Sequence, residues 1–138
     1  MKIAIFGTGY VGLTAGTCLS NLGNDVVCVD VDKAKIEELK KGNPPIYEPG
    51  LKEMIDRNQE EGRLIFTLNA QKAIKENDII FIAVGTPQDE TGKADLKYIE
   101  KVAETIGKNM DRYKVIVTKS TVPVGTNHKV KKIIKSHY

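Results

Sequence analysis

Lys2-Ile3-Ala4-Ile5-Phe6-Gly7-Thr8-Gly9-Tyr10-Val11-Gly12 opens the chain with a short apolar run, a glycine turn and the start of a helical pattern. The next apolar run, Val26-Val27-Cys28-Val29, closes on a carboxylate, Asp30. A lone G-x-G-x-x-G says little. Here it lies between a strand and a helix, with an acidic residue ending the following strand, which is the context a dinucleotide site requires. Gly7 permits the tight turn out of the strand, Gly9 lets the backbone approach a pyrophosphate, and Gly12 lets the helix pack closely. Amides around Tyr10 and Val11 would face the phosphates from the positive end of the helix dipole.

Beyond this unit, short apolar runs alternate with helix-period segments. The pattern predicts strands over 2–6, 25–30, 64–67, 78–84 and 114–118. It predicts helices over 10–22, 32–41, 50–61, 69–76, 95–108 and 125–136. Runs such as Ile79-Ile80-Phe81-Ile82-Ala83-Val84 are apolar without alternation, as in strands covered on both faces of a parallel sheet. The fold class expected is α/β: a Rossmann-type, doubly wound, mainly parallel sheet with helices on both faces. In the first helix the apolar stripe is read as Val11, Ala15, Cys18 or Leu19, and Leu22, with Gly23 as the C-cap. Asp32 is placed to cap the second helix. A six-stranded sheet would need one more strand after the last helix, so 1–138 is expected to be a separated NAD-binding domain.

With 138 residues, 41% hydrophobic and 28% charged, the chain has the size and composition of one ordinary globular domain. A net charge of +3 is too small and too evenly spread to imply nucleic acid. The lysines from Lys129 to Lys135 read as the wet face of an amphipathic helix. No apolar run approaches the roughly 18 residues of a membrane span, and the N-terminal run enters a glycine turn rather than a cleavage site. The expected compartment is the cytoplasm. Cys18 and Cys28 lie in patterned apolar segments and are expected to be buried hydrophobes rather than a disulfide. No Cys, His or Asp cluster has metal-ligand spacing, so no metal is expected.

Asp30 decides the nucleotide. A carboxylate at that strand tip accepts hydrogen bonds from an adenosine ribose. Against a 2′-phosphate it would be repulsive by roughly 4 kcal/mol per unit charge at 4 Å and an effective dielectric near 20. NAD is therefore favoured over NADP, although Lys35 could neutralise a phosphate or simply be a helix lysine. Thr86 and Thr121 stand at the carboxyl ends of the fourth and fifth strands, where open α/β sheets bind ligands. Each hydroxyl can cap a turn or contact cofactor. An S-adenosylmethionine site, or a stand-alone module that senses a nucleotide, also fits the Asp30-terminated strand.

These residues occur with Pro45-Ile46-Tyr47-Glu48-Pro49-Gly50-Leu51, Val84-Gly85-Thr86-Pro87, Ala94-Asp95-Leu96-Lys97-Tyr98 and Lys119-Ser120-Thr121-Val122-Pro123-Val124-Gly125-Thr126. In that order and company the chain resembles the N-terminal NAD-binding domain of the UDP-glucose/GDP-mannose dehydrogenase family. The Lys119–Thr126 stretch and the Tyr47-Glu48-Pro49-Gly50 turn look more like its UDP-glucose 6-dehydrogenase branch than its GDP-mannose or UDP-N-acetylhexosamine branches. The resemblance implies oxidation of UDP-glucose to UDP-glucuronate with two NAD⁺ through a cysteine thioester. It implies NAD contacts from Val11, Asp30, Lys35, Thr86 and Thr121, with Thr121 also helping to hold the catalytic water. It further implies that nucleophilic cysteine and UDP-sugar pocket belong to central and C-terminal domains beyond these motifs, and that the family is homodimeric. Neither Cys18 nor Cys28 matches the motif of that cysteine, so these residues alone are expected to bind NAD at best weakly and to turn nothing over.

Overall fold

The computed structural model describes residues 1–138. Its elements run β1 (Lys2–Phe6), α1 (Tyr10–Asn21), β2 (Asp25–Val29), α2 (Lys33–Lys40), α3 (Leu51–Glu60) and β3 (Leu64–Thr67). The second half gives α4 (Ala70–Glu76), β4 (Ile79–Ile82), α5 (Lys97–Asn109), β5 (Val115–Thr118) and α6 (Thr126–His137). The five strands form one sheet in the order β3-β2-β1-β4-β5. All four pairings are parallel. The chain winds outward from β1 to β3, then crosses back to β4, so the order reverses between β1 and β4. That reversal is where an open α/β sheet leaves a crevice.

Side-chain alternation along β1 and β2 divides the core into two layers. Ile3, Ile5, Val26 and Cys28 pack with Leu13, Ile36, Leu39 and Ile55 under α1, α2 and α3. Ala4, Phe6 and Val29 pack on the other face with Ile74, Ile99, Ile106 and Val130 from α4, α5 and α6. Full cover on both faces holds for the central strand and weakens at the edges: Ile65 in β3 and Val115 in β5 are exposed. Asp32 caps α2 by accepting from the Lys35 amide at 3.1 Å.

Three expectations need correction. The first-helix stripe is rotated: α1 buries Gly12, Leu13, Gly16, Thr17 and Ser20, while Val11 and Leu22 are exposed. Small residues win this face because the helix lies almost against the strands. A Cβ on Gly16 would stand 2.7 Å from Cys28 Sγ and 3.2 Å from Ile5 Cδ1. For the same reason Cys18 faces outward and is exposed, and only Cys28 is a buried hydrophobe. The fourth strand is shorter than its apolar run. It stops at Ile82, whose carbonyl oxygen accepts from the Lys119 and Ser120 amides at 2.8 and 3.2 Å. Beyond it the Ala83 amide still donates to the Phe6 carbonyl at 2.8 Å, and Ala83 and Val84 go on to line the crevice.

The close approach of α1 gives a stability prediction. Gly16→Ala should destabilise the chain by about 1–3 kcal/mol, because a methyl there overpacks a dense layer. Gly9→Ala, whose Cβ meets nothing within 4 Å, should lose less than about 1 kcal/mol as an N-cap change. Urea denaturation followed by circular dichroism measures both.

Candidate dinucleotide site

The site begins where β1 ends. Gly7 has φ +104°, a backbone conformation L side chains rarely adopt, and a Cβ there would lie 2.7 Å from the Ala83 carbonyl carbon. The chain then reverses through Thr8 and enters α1 at its N-cap, Gly9. The first amide with a helical acceptor is that of Leu13, which donates to the Gly9 carbonyl at 2.9 Å. The preceding amides of Tyr10, Val11 and Gly12 have no acceptor within the helix and form its positive end.

Around this turn lies a cavity of about 510 Å³. Gly7, Gly9, Asp30 and Lys35 line it. Phe6, Val29, Ala83 and Val84 supply apolar walls from the strand tips. Tyr10, Val11 and Gly12 stand beside it at the start of α1, the side chains of Tyr10 and Val11 turned to solvent. Gly12 packs into the turn itself: a Cβ there would fall on the Gly7 carbonyl oxygen.

Asp30 is held from several directions. Its Oδ2 accepts from the Thr8 amide at 2.9 Å and the Thr8 hydroxyl at 2.6 Å. Its Oδ1 accepts from the Asp32 amide at 3.1 Å. Lys35 Nζ lies 3.9 Å from Oδ2, so the lysine pairs with the carboxylate as well as facing the cavity. Burial alone would raise the Asp30 carboxyl, but the Thr8 hydroxyl, the Asp32 and Thr8 amides and the Lys35 ammonium together hold it below the usual carboxylate value. It is therefore ionised at neutral pH, as an acceptor of hydroxyl protons must be.

Thr86 and Thr121 come together but outside the cavity lining: Thr86 Oγ1 donates to the Thr121 carbonyl at 2.9 Å. Ser120 Oγ donates to the Val84 carbonyl at 2.7 Å, locking the same two loops side by side. Two features escaped sequence reasoning. One is Thr8, hidden as the variable residue of the glycine motif. The other is the flank of α5 that closes the cavity with Tyr98, Lys101, Val102 and Thr105. Their spacing of three, four and seven marks a second helical face beside the core face of Ile99, Ala103 and Ile106, and could have flagged them.

A further contact joins two sequence motifs. The Tyr10 hydroxyl donates to Glu48 Oε1, tying the start of α1 to the Tyr47-Glu48-Pro49-Gly50 turn.

Comparison with known proteins decides the lineage. The NAD-binding-domain model of the UDP-glucose/GDP-mannose dehydrogenase family matches residues 1–138. The chain belongs to the UDP-glucose/GDP-mannose dehydrogenase family. It is the NAD-binding domain of that family, with NAD as its cofactor. A UDP-glucose 6-dehydrogenase of Bacillus subtilis is 54% identical over 134 residues, covering 97% of this chain and 29% of that enzyme. The GDP-mannose dehydrogenase of Pseudomonas aeruginosa, solved as a ternary complex, superposes with a TM-score of 0.94 at 40% identity, covering 99% of this chain and 32% of its own. A UDP-glucose dehydrogenase from Pyrobaculum islandicum gives 0.93, also at 40% identity, with coverage of 98% and 32%. The chain thus spans about a third of the length of these relatives.

As a domain of this dehydrogenase family, the chain has a cavity that fits the dinucleotide on its own geometry. Gly9 lines it with no protein atom within 4 Å of where a Cβ would stand, the N-terminus of α1 begins beside it, and an ionised carboxylate stands at the next strand tip. No group of three or more His, Cys, Asp or Glu side chains is placed to hold a metal ion. No helix is long and apolar enough to cross a membrane.

The Tyr10–Glu48 contact can be tested by titration. The side-chain hydrogen bond to Glu48 and the charge of that carboxylate raise the Tyr10 phenol above its ordinary value near 10. In Glu48→Ala both of these disappear and only the desolvation of the phenol remains, so the Tyr10 ring carbon resonance, followed by NMR against pH, should titrate lower than in the unmutated chain. An unchanged midpoint would show that the contact does not form in solution.

Proposed function

We propose that this chain supplies the NAD⁺ site of a UDP-glucose 6-dehydrogenase, which oxidises UDP-glucose to UDP-glucuronate. The observation that carries the cofactor half of this reading is Asp30, gripped by Thr8 and Asp32 with its ionised edge on the cavity. The substrate half is supported by 54% identity to the Bacillus subtilis UDP-glucose enzyme against 40% to the Pseudomonas GDP-mannose enzyme.

In this reading the adenosine ribose lies against Asp30 and the pyrophosphate against the amides of Tyr10 and Val11 at the N-terminus of α1. Lys35 balances the carboxylate without cancelling it. Thr86 and Thr121 flank the nicotinamide end, and Thr121 also helps to hold the water that the hydrolytic step consumes. NAD⁺ supplies the hydride acceptor when bound. The UDP-sugar is held jointly with segments that the relatives carry beyond the matched third, and the working enzyme is a homodimer, as is general in the family.

Neither thiol of this chain is suited to capture an aldehyde. Burial pushes the Cys28 thiol up to about 12, so no thiolate forms at neutral pH. Cys18 lies on the outward side of α1 and does not line the cavity. A covalent thiol step therefore has no nucleophile within these residues.

Calorimetric titration tests the cofactor assignment. NAD⁺ should bind at least about tenfold more tightly than NADP⁺, given the repulsion Asp30 exerts on a 2′-phosphate. Asp30→Ala should narrow that ratio. Equal affinities in the unmutated chain would refute the role given to Asp30. With UDP-glucose and NAD⁺ supplied together, the 138-residue chain should form no NADH over many hours. Repeated turnover would overturn the assignment of the nucleophile to another part of the enzyme.

A further inference from the structure

Thr8 occupies a position that the glycine motif leaves open, yet it is completely buried. Both of its donors are spent on one atom: amide and hydroxyl converge on Asp30 Oδ2 at 2.9 and 2.6 Å. A carboxylate has about four lone-pair positions, two on each oxygen. Thr8 fills those of Oδ2. The Asp32 amide takes one on Oδ1, leaving a single open acceptor site on Oδ1.

The charges around this group are few. Lys35 reaches toward Oδ2 from α2, and Lys101 lines the same cavity from α5. The carboxylate of Asp32 is committed to capping α2 through the Lys35 amide. Asp30 is thus a lone carboxylate on a rim that otherwise carries two lysines. If it were protonated or turned away, the remaining charge would attract a 2′-phosphate.

We propose that Thr8 is the positioning residue that sets coenzyme choice, by fixing Asp30 through Oδ2 so that Oδ1 meets the adenosine ribose. This rests on the NAD reading above and adds to it the residue through which Asp30 acts. Thr8 itself touches no ribose atom. The amide bond to Oδ2 survives any substitution at this position, whereas the hydroxyl bond depends on the side chain. A charge-assisted O–H···O⁻ bond of this length is among the stronger ones a protein makes, so its removal is measurable.

Thr8→Val keeps the branched shape and removes the donor; Thr8→Ser keeps the donor and loses a methyl. In the ligand-free chain, the Asp30 carboxyl followed by carbon-13 NMR should titrate about one pH unit higher in Thr8→Val and at the original value in Thr8→Ser. Calorimetry should show NAD⁺ binding weakened about tenfold in Thr8→Val, and the NADP⁺-to-NAD⁺ ratio of dissociation constants narrowed several-fold. Thr8→Ser should retain both values. Thr8→Ala is the second donor-free variant should the valine chain fail to fold, with thermal unfolding as the check. An unshifted Asp30 titration, an unchanged coenzyme ratio, or a serine variant that behaves like valine overturns the proposal. If the unmutated chain binds neither nucleotide, the coenzyme role falls with the NAD reading. A shifted Asp30 titration in Thr8→Val would then mark the fault as lying there and not in the Thr8–Asp30 contact.

Discussion

The backbone crossing at Gly7 is the constraint on which the rest of this domain depends. β1, the start of α1 and the end of β4 meet there at distances that leave no room for a Cβ on either Gly7 or Gly12. Because α1 is pressed into the turn, its N-terminus starts directly beside the cavity that Gly7 and Gly9 line. Because Ala83 is held against Gly7, the loop after β4 must diverge on the far side. The cavity is the space that this divergence leaves. A bulkier residue at either glycine would separate α1 from the sheet and dissolve the crevice along with the packing.

The electrostatics follow from the same geometry. The helix terminus is positive and the nearby lysines are positive, so phosphate binding needs no further device. Discrimination between nucleotides does need one, and in the function proposed above it falls to a single carboxylate, Asp30. Asp30 can serve only if it stays ionised while half buried. The hydrogen bonds from Thr8 and Asp32, together with Lys35, outweigh the desolvation that burial imposes. Selectivity here is a local negative charge maintained inside a positive surround.

How much of this was legible in the sequence varies with the kind of interaction. The alternation of apolar runs and helical segments set out every strand and helix to within a few residues, because burial on a parallel sheet imposes those periods directly. The glycine motif with Asp30 located one wall of the cavity. What stayed hidden depended on contacts between distant segments. Thr8 is just a variable residue until its partner 22 positions away is in place. The outward turn of Cys18 follows from a helix resting on Gly16, and a hydropathy stripe places Cys18 and Val11 inside, whereas the close approach turns Gly12, Leu13, Gly16, Thr17 and Ser20 inward. The early end of β4 at Ile82 is not visible in 79–84, where the apolar run continues through Ala83 and Val84 to line the crevice. The α5 wall was written in the sequence at helical spacing, but its polar side chains resemble any solvated helix face until the sheet order sets α5 beside the crevice.

The two threonines at the strand tips show why the site is shared between loops rather than carried by one. Thr86 donates to the backbone of Thr121, and Ser120 to the backbone of Val84, so each loop closes the other's free carbonyls. A ligand settling against either loop therefore acts on both, and a displacement of the segment after β5 reaches the crevice through Val84, which lines it. This is a mechanical linkage made of two short hydrogen bonds at the exposed end of the sheet. The Asp30 side, by contrast, is braced by buried Thr8 and by the capped start of α2. Thr8 and the α2 cap thus brace Asp30 on one side of the crevice, while the two cross-loop hydrogen bonds join the segments that follow β4 and β5.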